Sequence, residues 1–82
     1  MDYEVVAMAE LPVCSGADAI RAFERAGWLL DRQKGSHATL IKSGSPLVLT
    51  IPRHRELDRG VLRAMIRKAG LSVEEFVGFL KH

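Results

Sequence analysis

The chain has 82 residues, of which 48% are hydrophobic and 27% charged, a composition typical of one small soluble globular domain. Its longest early apolar run, Val5 to Ala9, is far shorter than the roughly 20 residues that cross a bilayer, and it lacks the basic lead-in of a secretory signal. The single cysteine, Cys14, excludes an internal disulfide and a site built from several thiolates. We therefore expect a cytoplasmic protein with one core.

Charge is distributed unevenly along the chain. Residues 1–20 contain four acidic residues and no Lys or Arg, whereas residues 21–82 contain 12 Lys and Arg against 6 Asp and Glu, a net charge of +6. We predict an acidic N-terminal extension, frayed from the domain, over residues 1–10 and a single domain over residues 11–82. A basic body favours a polyanionic partner, although a solvated charged surface has the same composition.

The first predicted element is a helix that begins after Ser15 and stops at Gly27. Ser15 is a favourable N-cap, with Asp18 three positions later as a partial capping box, and glycine is a common helix stop. Ile20 and Phe23 lie on one side of this helix, which predicts that this side faces the core.

Three short runs of strand type follow, over residues 28–32, 37–42 and 47–51. The separators QKGS and SGSP are turn sequences, so the runs predict an antiparallel meander. Because side chains alternate along a strand, His37 shares one face of the second strand with Thr39 and Ile41, whereas Leu40 lies on the other. If helices cover the face of Leu40, His37 lies on the open side.

Two helices complete the chain. The first begins at Asp58, a favourable N-cap, and its apolar residues from Leu62 to Ala69 have the spacing i, i+3, i+4, i+7. Ser72 and Glu75 form a capping box for a short last helix. The order α-β-β-β-α with a helical tail predicts an α+β sandwich, a three-stranded antiparallel sheet with helices on one face.

Among the three histidines, His37 has the setting of a functional residue. It follows a Gly-Ser turn and opens a strand, where a rigid element aims the ring and the turn leaves room for a ligand. An isolated histidine of this kind is still more often structural than catalytic. His54 lies in a basic loop, where a solvated side chain is the simpler interpretation, and His82 is terminal and has no predicted role.

Basic residues form two groups suited to holding phosphate, by charge from Lys and by a bidentate fork from Arg. The group around the Gly-Ser-His turn consists of Arg32, Lys34 and Lys42. The second group recurs every four residues on the second long helix, with two members in the loop before it: Arg59, Arg63 and Arg67, preceded by Arg53 and Arg55. A solubilising helix face explains the second group equally well.

Other site chemistries lack support in the sequence. No His, Asp or Glu spacing matches a known metal site, and neither a nucleophile elbow nor a Gly-rich nucleotide loop is present. We expect neither a metal nor a cofactor.

Three stretches taken in order, RQKGSH, LVLTIPRH and LDRGVLRAMIRKAGLSVEEFVGFL, resemble the HicA family of toxin–antitoxin mRNA interferases. The resemblance extends over residues 11–80. It implies a fold like the double-stranded-RNA-binding domain, mRNA as substrate, a HicB-like antitoxin that covers the active site, and a bacterial or archaeal cytoplasm. The acidic segment before Leu11 is longer than the family suggests, which leaves Met1 and Met8 as alternative translation starts.

The same resemblance implies roles for individual residues. His37 corresponds to the histidine on which RNA cleavage depends, Gly35 and Ser36 to its turn, and Lys34 to the basic position before it. The family's Pro-x-His after the third strand corresponds to Pro52 and His54, which implies that His54 contacts RNA.

These assignments lead to the hypothesis of a metal-independent endoribonuclease. His37 removes the proton of a ribose 2′-hydroxyl, which attacks the adjacent phosphate, and Arg or Lys side chains stabilise the charge that develops. The leaving oxygen is protonated by His54, by His37 in another step, or by water. The alternatives are an RNA-binding module without catalysis and a degenerate toxin that still binds antitoxin.

Overall fold

The computed structural model describes residues 11–81, so the predicted extension over residues 1–10 lies outside the described residues. In chain order the elements are α1 (Gly16–Arg25), β1 (Leu29–Lys34), β2 (His37–Ile41), β3 (Val48–Pro52), α2 (Arg59–Lys68) and α3 (Val73–Leu80). The strands form one antiparallel sheet in the order β1-β2-β3. The predicted α+β meander is confirmed. Within residues 11–81, no helix is long and apolar enough to cross a membrane.

Local capping explains where the helices begin. The side chains of Ser15 and Asp58 each accept a hydrogen bond, 3.0 Å long, from the amide three residues further on. Ser72 and Glu75 exchange side-chain and backbone hydrogen bonds in the predicted capping box. Each contact satisfies an amide that has no partner inside its own helix, and such a cap contributes about 1 kcal/mol.

The core lies between the sheet and the helices. Its sheet side consists of Ala38 and Leu40 from β2 and Leu49 and Ile51 from β3, none more than 1% exposed. These side chains belong to one buried cluster with the apolar sides of α1 and α2 and with Phe76 of α3. The helices therefore cover one face of the sheet, as predicted, and leave the face that carries His37 open.

A β-bulge in β1 decides which of its side chains reach the open face. The register pairs Leu30 with Leu40 and then Arg32 with Thr39. Asp31 is therefore an extra residue on β1. Regular alternation from Leu30, which faces the helix side, would point the Arg32 side chain to that side as well. The bulge instead places Arg32 on the open face.

Candidate functional site

The open face of the sheet is made of three rows of side chains, each row with one residue from every strand. The turn row consists of Lys34, His37 and Pro52, the middle row of Arg32, Thr39 and Thr50, and the aliphatic row of Leu29, Ile41 and Val48. The outer rows are four positions apart along β2, from His37 to Ile41, which places them about 13 Å apart. The face therefore changes from basic to aliphatic along the strands.

His37 owes its position to the turn before it and to the strand that it opens. Gly35 has a φ of +60°, a backbone conformation that residues with a Cβ rarely adopt. No atom lies within 4 Å of the position that a Cβ on Gly35 would occupy, so the backbone angle and not crowding requires the glycine. β2 is the central strand and pairs on both sides. The imidazole is thus exposed on a rigid base.

An open depression of about 480 Å³ extends from Lys34 and His37 of the turn row, across the middle row, to Val48 of the aliphatic row. It brings together three of the predicted site residues, Arg32, Lys34 and His37. The remaining lining residues are Thr39, Val48 and Thr50, so within the described part of the chain none of the lining side chains is acidic. Guanidinium, ammonium and hydroxyl groups all donate hydrogen bonds to phosphate oxygens. The arrangement can therefore hold a phosphate next to an imidazole.

The loop after β3 lies against the start of α1. A Cβ on Gly16 would overlap the carbonyl oxygen of Pro52 and would lie 2.7 Å from the Cα of Arg53. The amide of Gly16 donates to the carbonyl of His54 at 2.9 Å. This close approach fixes the loop in which the side chains of His54 and Arg55, two predicted RNA contacts, are exposed.

The predicted residues Ser36 and Arg53 also meet beside His37. The backbone amide of Arg53 donates to the carbonyl of Ser36 at 2.6 Å. The Nε–H of the same arginine donates to Oε1 of Gln33 at 2.6 Å. Arg53 therefore makes contacts within the protein at the turn, and it does not line the depression.

Other predicted basic residues lie away from the depression. Lys42 follows β2 at the end opposite His37, with its Nζ 6.0 Å from the centroid of the Trp28 ring. The three arginines of the predicted helical stripe are exposed on α2, and two of them, Arg63 and Arg67, line a separate cavity of about 210 Å³ beside the start of α3. The structure does not bring these residues to His37.

Cysteine chemistry has no support at the site. Burial, and secondarily the charge of Asp18, raises the pKa of the Cys14 thiol from 9.0 to about 11. The buried thiol is therefore almost fully protonated at neutral pH and is a poor nucleophile. In the part of the chain that the structure describes, no three His, Cys, Asp or Glu residues form a group that could hold a metal ion.

Four residues of the site were missed by the sequence analysis. One of them, Thr39, was predicted to share a face with His37 but was given no role in the site. Val48 and Thr50 line the depression from β3, and their register against β2 depends on the path of the SGSP connection, which the sequence alone does not determine. Gln33 lies inside the quoted stretch RQKGSH. The one feature of the sequence that could have indicated a role for Gln33 is its polar side-chain amide, two residues before the turn glycine Gly35.

The chain is similar to known proteins in sequence and in structure. Residues 16–71 match the family described as HicA toxin of bacterial toxin-antitoxin. The structure is similar to a chain of a toxin–antitoxin complex from Streptococcus pneumoniae, with a TM-score of 0.62 and 31% sequence identity, covering 70% of this chain and 97% of that chain. A search of curated proteins found no match. The matched segment contains the whole sheet and therefore the depression.

Proposed function

The chain belongs to the HicA family of toxins from bacterial toxin–antitoxin systems, and from this we propose that it is a metal-independent endoribonuclease that cleaves mRNA in the cytoplasm. One observation carries the proposal. An exposed imidazole, that of His37, stands at the start of a central strand in a depression that, among residues 11–81, is lined by Arg32 and Lys34 and by no acidic residue. The cations of such a site attract a polyanion, and an imidazole can transfer protons near neutral pH.

In the proposed reaction His37 acts as the base. The imidazole takes the proton of a ribose 2′-hydroxyl, the 2′-oxygen forms a bond to the adjacent phosphorus, and the bond from phosphorus to the 5′-oxygen of the next nucleotide breaks. The leaving oxygen takes a proton from His54, from water or from the His37 imidazolium. The products are a 2′,3′-cyclic phosphate and a 5′-hydroxyl. Proton transfer by a positioned imidazole contributes about 10²- to 10⁴-fold to the rate.

The cations of the depression have a complementary role. Arg32 and Lys34 stabilise the negative charge that gathers on the non-bridging phosphate oxygens in the transition state, and Thr39 and Thr50 offer hydroxyl donors nearby. The predicted RNA contacts outside the depression then hold the flanking nucleotides: Gly35 and Ser36 in the turn, His54 and Arg55 in the loop after β3, Lys42 beyond β2, and Arg59, Arg63 and Arg67 on α2. If the protein contacts about four phosphates, the logarithm of its association constant for RNA should fall with the logarithm of salt concentration at a slope near −3. Each contact to a single strand contributes ~0.7 to this slope.

The partner that we propose is a HicB-like antitoxin bound over the open face of the sheet. The aliphatic row supports this partner, because Leu29 is 61% exposed, Ile41 38% and Val48 39% on the same face as His37. RNA gains little from aliphatic contacts, whereas protein interfaces are built around apolar anchors with charges at the rim. A protein that covers this row and extends about 13 Å further along the strands excludes RNA from the imidazole.

The proposal is tested by incubating purified protein with RNA in the presence of a chelator. We expect the wild-type protein to shorten the RNA and His37→Gln to be slower by at least about 100-fold. The exposed position of His37 keeps the free energy of unfolding within about 0.5 kcal/mol of wild type, which thermal unfolding checks.

Wild-type cleavage rates in a folded His37→Gln protein would contradict the catalytic assignment. A wild-type protein that binds RNA and leaves it intact would instead identify an RNA-binding module without catalysis.

A further inference from the structure

Gln33 and Arg53 join the turn before His37 to the loop after β3. The Nε–H of Arg53 donates to Oε1 of Gln33 at 2.6 Å, across 20 positions of sequence. The side-chain amide of Gln33 donates through Nε2 to the carbonyl of Gly35 at 3.4 Å. The backbone amide of Arg53 donates to the carbonyl of Ser36 at 2.6 Å. Hydrogen bonds from both residues thus converge on the two turn residues that precede His37.

This pair lies on the opposite side of the sheet from the imidazole. Gln33 pairs with Ala38, whose side chain is buried on the helix side, whereas His37 and Pro52 pair with each other on the open side. Arg53 follows Pro52, so alternation points its side chain to the helix side, in agreement with its hydrogen bond to Gln33. An arginine held there is not aimed at a phosphate that lies in the depression.

Apart from the pairing of Lys34 with His37 that closes the hairpin, the turn makes few contacts with other residues in the described part of the chain. Gly35 and Ser36 are exposed, and the space beside the Cα of Gly35 is open. A catalytic side chain works only when it is held within about 0.5 Å of its productive position. Misplacement by about 1 Å costs on the order of 100-fold in rate. A cross-strand contact on the far side of the sheet restrains the turn without blocking access to His37.

We propose that Gln33 and Arg53 form a positioning pair for His37, and that Arg53 acts through Gln33 and not through a phosphate. The inference rests on the proposed ribonuclease activity. It gives Gln33 a role that neither charge nor proximity to the depression suggests. The contact depends on the rigid guanidinium, whose Nε–H lies part-way along the side chain, and the flexible ammonium of lysine has no equivalent donor.

The experiment measures kcat and KM for RNA cleavage by four variants of the full chain. For Gln33→Ala and for Arg53→Lys we expect kcat to fall about tenfold or more while KM stays within about threefold. The variant with both changes should be no slower than the worse single variant, because the two residues act as one unit. Gln33→Glu keeps an oxygen acceptor for the Arg53 Nε–H but loses the Nε2 donor to the Gly35 carbonyl, so its kcat should lie between those of wild type and Gln33→Ala.

A matched control makes the same substitution elsewhere. Arg21 is an exposed arginine on α1 that donates to Asp18 at 2.6 Å, and Arg21→Lys should leave kcat and KM unchanged.

A second measurement is independent of activity. Hydrogen exchange of the Arg53 backbone amide, which donates to the carbonyl of Ser36 in the turn, should be about tenfold faster in Gln33→Ala.

Two results would overturn the positioning pair while the nuclease assignment stands. One is wild-type kcat in Gln33→Ala. The other is an Arg53→Lys protein that matches wild type in both constants, since preserved charge would then be sufficient, as expected for a phosphate contact. A wild-type protein that fails to cleave RNA would instead overturn the proposed function, and with it the catalytic role of the pair.

Discussion

The two ends of the open sheet face share the same three strands and differ in almost every other respect. The turn row contains an imidazole beside a cation, and the aliphatic row contains three exposed apolar side chains about 13 Å away. Both rows lie on the same face of the sheet, so the side of the sheet that they occupy does not distinguish them. Their chemistry does, because a phosphate suits the first row and an apolar protein surface the second.

The bulge at Asp31 lies between these two regions and keeps them on one face. On the N-terminal side of the bulge β1 contributes Leu29 to the aliphatic row, and on its other side it contributes Arg32 to the middle row. Without the local shift, Arg32 and Leu30 would point the same way. One irregular residue therefore allows a single strand to serve both regions.

The largest expected effect is a loss of antitoxin binding without a loss of RNA cleavage. Leu29 and Ile41 are the two members of the aliphatic row that do not line the depression. Replacing them together, with Leu29→Thr and Ile41→Thr, should weaken binding of the cognate antitoxin about 100-fold, because buried apolar anchors dominate interface energies. Cleavage of RNA should stay within about threefold, since the proposed chemistry lies in the other rows. Calorimetric titration with the antitoxin and a cleavage assay on the same preparations measure both.

A matched control for this variant is Val61→Thr, which changes an aliphatic residue of similar exposure, 44%, on α2. Antitoxin affinity should not change in this protein. Undiminished antitoxin binding by the Leu29→Thr, Ile41→Thr variant would show that the aliphatic row does not contact the antitoxin.

The second expected effect concerns the close packing of α1 against Pro52 of the turn row and the loop that follows it. Gly16→Ala places a methyl group against Pro52 and Arg53, so α1 and the loop after β3 must separate. We expect a loss of about 2 kcal/mol in the free energy of unfolding, typical of overpacking at a tight contact. Urea denaturation measures it. Gly78→Ala is the control: it adds the same methyl group to α3 in open space and should stabilise slightly. Equal stability of the two variants would contradict the close approach.

The smallest effect concerns the cations of the depression. Arg32→Ala with Lys34→Ala should lower kcat/KM for RNA about tenfold, because both transition-state stabilisation and phosphate binding are lost. It should also reduce the salt slope of RNA binding by roughly 1.4, which is ~0.7 for each lost phosphate contact. Arg21→Ala with Lys81→Ala removes the same charge from the exposed surface of the helices and should leave the slope unchanged. An equal reduction in both proteins would show that net charge, and not the depression, determines affinity.

Much of the fold was predictable because its signals are local. Ser15, Asp58 and Ser72 cap their helices through contacts three residues away, and Gly35 closes a turn by its own backbone angle. The exposure of His37 followed from alternation along a regular strand and a buried Leu40. Each of these inferences needed only neighbouring residues.

The parts that could not be predicted depend on packing between distant segments. The bulge at Asp31 reflects how β1 fits both β2 and the helices, and nothing in the local sequence requires it. The separation of Arg63 and Arg67 from His37 follows from where α2 docks, which helical periodicity does not specify. The contact between Gln33 and Arg53 joins β1 to the loop after β3, and β1 and β3 are not adjacent in the sheet, so only the folded chain reveals it.

Identification of the cleaved RNA ends tests the central claim most directly, because the imidazole is proposed to activate the 2′-hydroxyl of the RNA itself. In a chelator, wild-type protein should produce fragments with 2′,3′-cyclic phosphate and 5′-hydroxyl ends, detectable by mass spectrometry of a defined oligonucleotide, and His37→Gln should produce neither. Fragments with 5′-phosphate ends, or cleavage that appears only after a divalent metal is added, would contradict the account.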